Sequence, residues 1–301
     1  MERHKTLRQV ASAVCSLPGS KSSLRALTRF TVQSLPVSVK NKQRLYNLFA
    51  TETLPDEDVD CSARLPGGQS VKLTLDLDDD LSRMWYYWGY RGYEEPTVRL
   101  FSELLRSKSC VFDVGANIGY YTLLAATALE GRGEVHAFEP CPGIFQRLCD
   151  NVNRNVLHSA NLNQMALADK DGEQRLFLPV DRAGTNASLV ADFVKQDAFV
   201  VTPVARFDSY CRMRATRPVE LLKIDVEGAE ASVLRGMGAL LDDWQPDIIC
   251  EVLAPFDMEL DQFFFRKPYR KFLITDDGPR ETDRLRAHPQ FRDYYLSVNL
   301  G

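Results

Sequence analysis

The 301-residue chain has no apolar run approaching the length of a membrane span, no internal repeat and no low-complexity tract. It has no C-x-x-C pair either: the seven cysteines stand at 15, 61, 110, 141, 149, 211 and 250. That spacing excludes a zinc ribbon and a disulfide framework of the secreted kind. Cys110 and Cys250 fall inside apolar strand patterns, where cysteine behaves as a small buried hydrophobe, and a cytoplasmic, reducing setting is expected. Histidine is scarce: His4 is in the N-terminal tail, His136 is mid-strand, and His158 and His288 fall in surface segments. A histidine general base is therefore poorly supplied. Acids are almost missing from the first 50 residues, which carry nine Lys or Arg and one acid, a formal +8. The remaining 251 residues hold 28 Lys or Arg against 40 acids, a formal −12. An acidic body lacks the basic stripe that nucleic acid demands, so neither nucleic acid nor membrane is expected as a partner.

What is present centres on Val111-Phe112-Asp113-Val114-Gly115-Ala116-Asn117-Ile118-Gly119-Tyr120-Tyr121. A short apolar strand breaks at a glycine loop and runs into the helix-forming stretch Thr122 to Leu129. Strand, glycine turn and helix together bring a ligand against backbone N–H groups at a helix N-terminus. Gly115 and Gly119 are read as omitting side chains where that ligand comes close; a tight turn with no ligand is the alternative. About twenty-five residues on, Glu134 to Phe138 forms a second strand ending at Glu139-Pro140. An acid at the tip of the next parallel strand can accept both ribose hydroxyls of a nucleoside. A dinucleotide fold wants G-x-G-x-x-G, whereas two glycines and an added carboxylate, Asp113, suit a nucleoside that carries a positive charge and no pyrophosphate. S-adenosyl-L-methionine has that chemistry.

The sequences D-V-G-A-N-I-G-Y-Y-T, A-F-E-P and K-I-D-V-E-G-A-E (Lys223 to Glu230) resemble the FkbM family of S-adenosylmethionine-dependent methyltransferases. The resemblance runs from Tyr93 to Glu251. It implies a class I methyltransferase fold: a Rossmann-like, doubly wound α/β sheet, mostly parallel with an antiparallel edge. That domain would occupy 93–301, behind an N-terminal helical and hairpin extension over 1–92. The cofactor site implied takes in Tyr93, Glu94, Asp113, Gly115, Asn117, Gly119, Tyr120, Thr122, Glu139, Pro140, Ala166 and Asp225.

Along the chain, residues 1–50 are expected to be a helical extension packing on the body or forming a homodimer surface. A transit peptide or a free tail is the alternative. The Val10 to Leu17 piece is short and mixed with serine, which argues against a secretory signal. Val71, Leu73, Leu75 and Leu77 alternate onto one face and predict a hairpin strand outside the parallel sheet. The aromatic run Met84 to Glu94 reads either as packing over the core or as a lid that gives a sulfonium cation–π attraction. Asn161 to Leu167 is expected as one strand, with Ala166 beside an adenine, and Ala229 to Leu241 as one helix. Residues 183–189 resemble a loop near the family's active site.

Methyl transfer to an alcohol needs alignment and a proton acceptor. Asp225, Glu227 and Glu251 are the catalytic candidates; capping of helix ends is the structural alternative. If the strand through Ile224 stays extended, Asp225 and Glu227 share a side. Two of these acids could instead hold Mg²⁺ and lower the pKa of the acceptor oxygen. The expected activity is O-methylation of a small-molecule acceptor: a sugar, a polyketide or another secondary metabolite. The rivals are a small-molecule N-methyltransferase, a non-catalytic nucleoside-binding protein and a nicotinamide oxidoreductase.

Overall fold

Cys110–Val114 (β3), Leu221–Ile224 (β9) and Asp247–Glu251 (β10) are buried at every residue. Strands covered on both faces read as continuous apolar runs and sit at the centre of a parallel sheet. The computed structural model describes residues 20–34, 39–50, 53–55, 57–92, 94–129, 131–178, 187–190 and 198–298. It divides into two units, Met1–Glu95 and Pro96–Gly301.

In the first unit, helices Ser20–Ser34 and Val39–Phe49 precede an antiparallel hairpin of Val59–Arg64 (β1) and Ser70–Leu75 (β2). Val71, Leu73 and Leu75 are buried, as their alternation predicts. The aromatic run forms helix Asp80–Trp88, begun by Asp79, whose carboxylate accepts the Ser82 N–H. Tyr87 is buried, packs edge-on against Tyr46 and hydrogen-bonds Thr53 through its hydroxyl. Arg29 lies over the Tyr86 ring.

The second unit is built on an eight-stranded sheet, in the order Gly278–Thr282 (β12), Arg270–Thr275 (β11), Asp293–Ser297 (β13), β10, β9, β3, Glu134–Phe138 (β4) and Ala160–Asn163 (β5). β4 and β5 continue the parallel part beyond β3, and β9 and β10 continue it on the other side. β11, β12 and β13 make the antiparallel edge. The fold is thus doubly wound α/β, mostly parallel with an antiparallel edge.

Two expectations need correction. Asn161 to Leu167 is not one strand. β5 ends at Asn163, and Ala166–Ala168 (β6) joins a separate three-stranded sheet with Gly172–Phe177 (β7) and Phe199–Arg206 (β8). β6 pairs in parallel with β8, a partner some forty residues away in sequence and invisible in local periodicity. The Ala229 to Leu241 helix breaks at Gly238, whose φ is +56°, giving Glu230–Met237 and Leu240–Trp244.

Beneath β4, a buried polar string crosses an aromatic core. His136 Nδ1 and the Tyr210 hydroxyl are 2.7 Å apart, and that hydroxyl lies 3.1 Å from Asn163 Oδ1. The Phe112 ring stacks on His136. Burial holds the His136 imidazole below its ordinary range. Tyr210→Phe would strand both partners, so a loss of about 1–3 kcal/mol is expected in urea unfolding. An unchanged midpoint would show that the string contributes nothing.

Candidate active site

The chain passes from β3 to β4 and β5 on one side of the sheet, then returns to β9 and β10 on the other. Open α/β sheets bind ligands outside the carboxyl ends of the strands at such a reversal. Here the strand tips are tied together. The N–H groups of Gly115 and Ala116 donate to the Phe138 carbonyl at 3.0 and 2.9 Å, and Asp225 N–H donates to the Val114 carbonyl at 2.9 Å.

Two carboxylates stand on the β3–β4 side. Asp113 is buried near the end of β3 and accepts the Thr122 hydroxyl at 2.6 Å. Burial pushes its carboxyl up to about 6. Glu139, one residue past β4, accepts the Asn117 N–H at 3.0 Å and the Cys141 N–H at 2.9 Å, one on each oxygen. Burial raises it to about 7. Asn117 adopts φ +51°, and its own side chain accepts the Ile118 N–H. Tyr120 and Thr122 lie buried in the first turn of helix Tyr120–Leu129, and the Pro140 carbonyl accepts the Thr202 hydroxyl.

The glycines have reasons inside the protein. A Cβ on Gly115 (φ +87°) would lie 1.8 Å from the Asp225 carbonyl oxygen, and one on Gly119 (φ +100°) would lie 2.7 Å from Leu148 Cδ1. Gly115 accommodates the close approach of the chain just past β9. Ala166 sits in β6, paired with Val204 in the smaller sheet. Glu94 belongs to the first unit, at φ +45°, and Tyr93 falls outside the described residues.

The catalytic candidates do come together. Asp225, Glu227 and Glu251 each present an oxygen within 4.8 Å of the others. The route differs from a shared strand face. β9 stops at Ile224, and Glu227 (φ +54°) and Gly228 (φ +97°) turn the chain. That turn is braced by Glu230, which accepts the Val226 and Gly228 N–H groups at 3.2 and 3.1 Å. On the other side, buried Ser188 donates its hydroxyl to the Glu227 carbonyl at 2.7 Å. Residues 183–186 of the predicted loop lie outside the described residues.

Burial and the negative charges of Asp225 and Glu230 push Glu227 up to about 8. Burial, then Asp225, Glu227 and Asp293, push Glu251 up to about 10. Glu251 Oε1 lies 3.6 Å from the Arg292 guanidinium, while Oε2 is buried with no hydrogen-bond partner among the described residues. Lys223 Nζ contacts Asp225 Oδ2 at 3.1 Å and Asp293 Oδ1 at 3.4 Å. Asp293 and Arg292 are not legible as site residues in the sequence, and Ser188 is legible only as part of the 183–189 loop. Asp293 is 70 residues from Lys223, and its only local signal is an acid opening a closing strand.

The sequence profile of the methyltransferase FkbM domain matches residues 113–271. The chain is 32% identical over 161 residues to the 31-O-demethyl-FK506 methyltransferase FkbM of Streptomyces tacrolimicus, covering 44% of this chain and 61% of that protein. It is 27% identical over 171 residues to the hexuronic acid methyltransferase AglP of Haloferax volcanii, covering 56% of this chain and 65% of that one. The chain therefore spans less than two thirds of either relative's length. The crystal structure of a methyltransferase FkbM from Methylobacillus flagellatus aligns with a TM-score of 0.43 at 17% identity, over 72% of this chain and 55% of that one.

Proposed function

Because this chain belongs to the FkbM methyltransferase family, we propose that it moves a methyl group from S-adenosyl-L-methionine to a hydroxyl of a small molecule, a sugar, polyketide or other secondary metabolite. The observation that supports this reading best is the placement of carboxylates at the strand tips around the sheet reversal: Asp113, Glu139, Asp225 and Glu251. S-adenosylmethionine supplies an electrophilic methyl on a sulfonium cation. Two of its polar features, the ribose diol and the positive charge, match these carboxylates. Glu139, fixed by N–H groups from both neighbouring turns, would accept the ribose hydroxyls. Asp113 and Asp225 would favour the cation. As the acceptor oxygen bonds to the methyl carbon and the carbon–sulfur bond breaks, the hydroxyl proton passes to a carboxylate of the Asp225–Glu227–Glu251 group. Among the two glutamates Glu227, at about 8, ionises before Glu251.

A second reading rests on the same three oxygens. An all-carboxylate set within 4.8 Å suits a hard divalent ion such as Mg²⁺, and Glu251 Oε2, which has no hydrogen-bond partner among the described residues, fits that set. A metal there would lower the pKa of the acceptor hydroxyl. Turnover lost in chelator and restored by Mg²⁺ would favour it. No helix among the described residues is long and apolar enough to cross a membrane.

Calorimetry tests the donor site. S-adenosylhomocysteine should bind and NAD should not. Glu139→Gln should weaken the former by about 1.5–3 kcal/mol through lost charge-assisted hydrogen bonds. Ribose hydroxyls favour the ionised carboxylate, so wild-type affinity should rise as pH climbs through about 7 and level off above it. The variant's affinity should stay flat. Equal binding by both proteins would remove Glu139 from the site. The acceptor can be found by incubating methyl-labelled donor with a small-molecule extract and identifying what gains label; an extract that gains none would favour the non-catalytic rival.

A further inference from the structure

A lysine fully enclosed in a sheet strand is an expensive choice, since well-packed apolar residues are often as stable as a buried ion pair. Lys223 is the third residue of β9, is 0% exposed, and stands among Leu221, Leu222 and Ile224, which are equally enclosed. What the ammonium touches is therefore informative. On one side is Asp293 Oδ1 at 3.4 Å, and Asp293 is itself fixed, its Oδ2 accepting the Thr97 hydroxyl at 2.7 Å. On another is the Tyr121 ring, its centre 5.2 Å away. On the third is Asp225 Oδ2 at 3.1 Å, and the Asp225 side chain is 20% exposed. The network thus runs from a rigid anchor, Asp293, to the Asp225 carboxylate just past the tip of β9.

We propose that Lys223 is a positioning residue: anchored on Asp293, it holds the Asp225 carboxylate in one orientation toward the donor's sulfonium. This assignment rests on the donor reading above. It makes a distinctive demand on ligand choice. S-adenosylmethionine differs from S-adenosylhomocysteine by one methyl group and one positive charge, so a carboxylate held in place favours the former. Without its anchor the carboxylate can turn away and hydrate. The ammonium's own field acts in the opposite sense, because a cation beside the sulfonium repels it. Loss of Lys223 thus separates three roles. Positioning predicts a loss selective for the charged ligand; a field effect alone predicts a gain for it; a scaffold role predicts equal losses for both.

The experiment titrates both ligands into wild type, Lys223→Met, Lys223→Arg and the double variant Lys223→Met with Asp293→Asn. Lys223→Met should weaken S-adenosylmethionine about tenfold and leave S-adenosylhomocysteine within about twofold. Lys223→Arg, which keeps a donor for Asp225, should recover most of the loss. The double variant removes the opposed buried charges together and carries the test if the single variant fails to fold; it should show the same selective loss. Equal losses, or tighter binding of S-adenosylmethionine, overturn the assignment while leaving the donor reading in place. A wild type that binds neither ligand overturns both.

Discussion

Glu227→Gln should lower methyl-transfer turnover by about 10²–10⁴-fold while leaving S-adenosylhomocysteine affinity unchanged. Two features place the burden on this residue. It lies within 4.8 Å of Asp225 and Glu251, at the tips of adjacent strands where the acceptor would enter. Its carboxyl is pushed up to about 8 by burial, with Asp225 and Glu230 adding to the shift. A base poised near the working pH combines a useful ionised fraction with a strong pull on the proton. The sign of the pH dependence follows. The base must be ionised to act, so wild-type turnover should rise with pH through about 8. The Gln variant should lose that limb. Glu251, pushed up to about 10, is already neutral at neutral pH, so Glu251→Gln should cost far less. Chelator should leave wild-type turnover intact. A Glu227→Gln enzyme of full activity, or one that keeps the alkaline limb, would shift the proton acceptor to another carboxylate.

Gly115→Ala should destabilise the protein by roughly 2–5 kcal/mol, a large share of typical domain stability. Two contributions combine. At φ +87° an L side chain carries a conformational cost of roughly 1–2 kcal/mol. Its Cβ would also sit 1.8 Å from the Asp225 carbonyl oxygen, so backbone must move, and such overpacking costs about 1–3 kcal/mol. Gly131 isolates the first contribution, because at φ +74° a Cβ added there would meet no atom within 4 Å. Gly131→Ala should therefore lose only the conformational part, roughly 1–2 kcal/mol. Urea unfolding of both variants reads the difference; equal losses would mean that the β9 tip yields freely. A donor-binding defect in a Gly115 variant would then report a displaced Asp225 as readily as a blocked ligand, which makes Glu139 the cleaner probe of the pocket.

The doubly wound sheet is legible in the sequence because its central strands advertise themselves. Cys110–Val114 and Asp247–Glu251 are short apolar runs with an acid at or near the end, and both faces of each are covered. The β1–β2 hairpin is legible for the complementary reason, since Val71, Leu73 and Leu75 alternate with polar residues. Non-local pairing is not. Nothing local in Asn161 to Leu167 marks a break, and its two halves part because β5 pairs with β4 while β6 pairs with β8. The nearness of Asp225 to Glu227 is expected from strand alternation, yet it arises from the positive φ of Glu227 and Gly228, a turn that the E-G pair hints at without specifying. Lys223 is the hardest to read. In a strand buried on both faces, alternation no longer tells an inward residue from an outward one, and its Asp293 anchor comes from the far edge of the chain.

The Ser188 hydroxyl on the Glu227 carbonyl gives the segment between β7 and β8 a mooring. The same residue also exchanges backbone hydrogen bonds with Phe177, at 2.8 and 3.1 Å, so it is pinned to the small sheet and to the Glu227 turn together. Ser188 thus works as a staple between the two sheets: it holds the Glu227 carbonyl from one side while Glu230 holds the same turn from the other. A change of packing around Phe177 would reach Glu227 through a single intervening residue, so the small sheet sets how still the carboxylates stand.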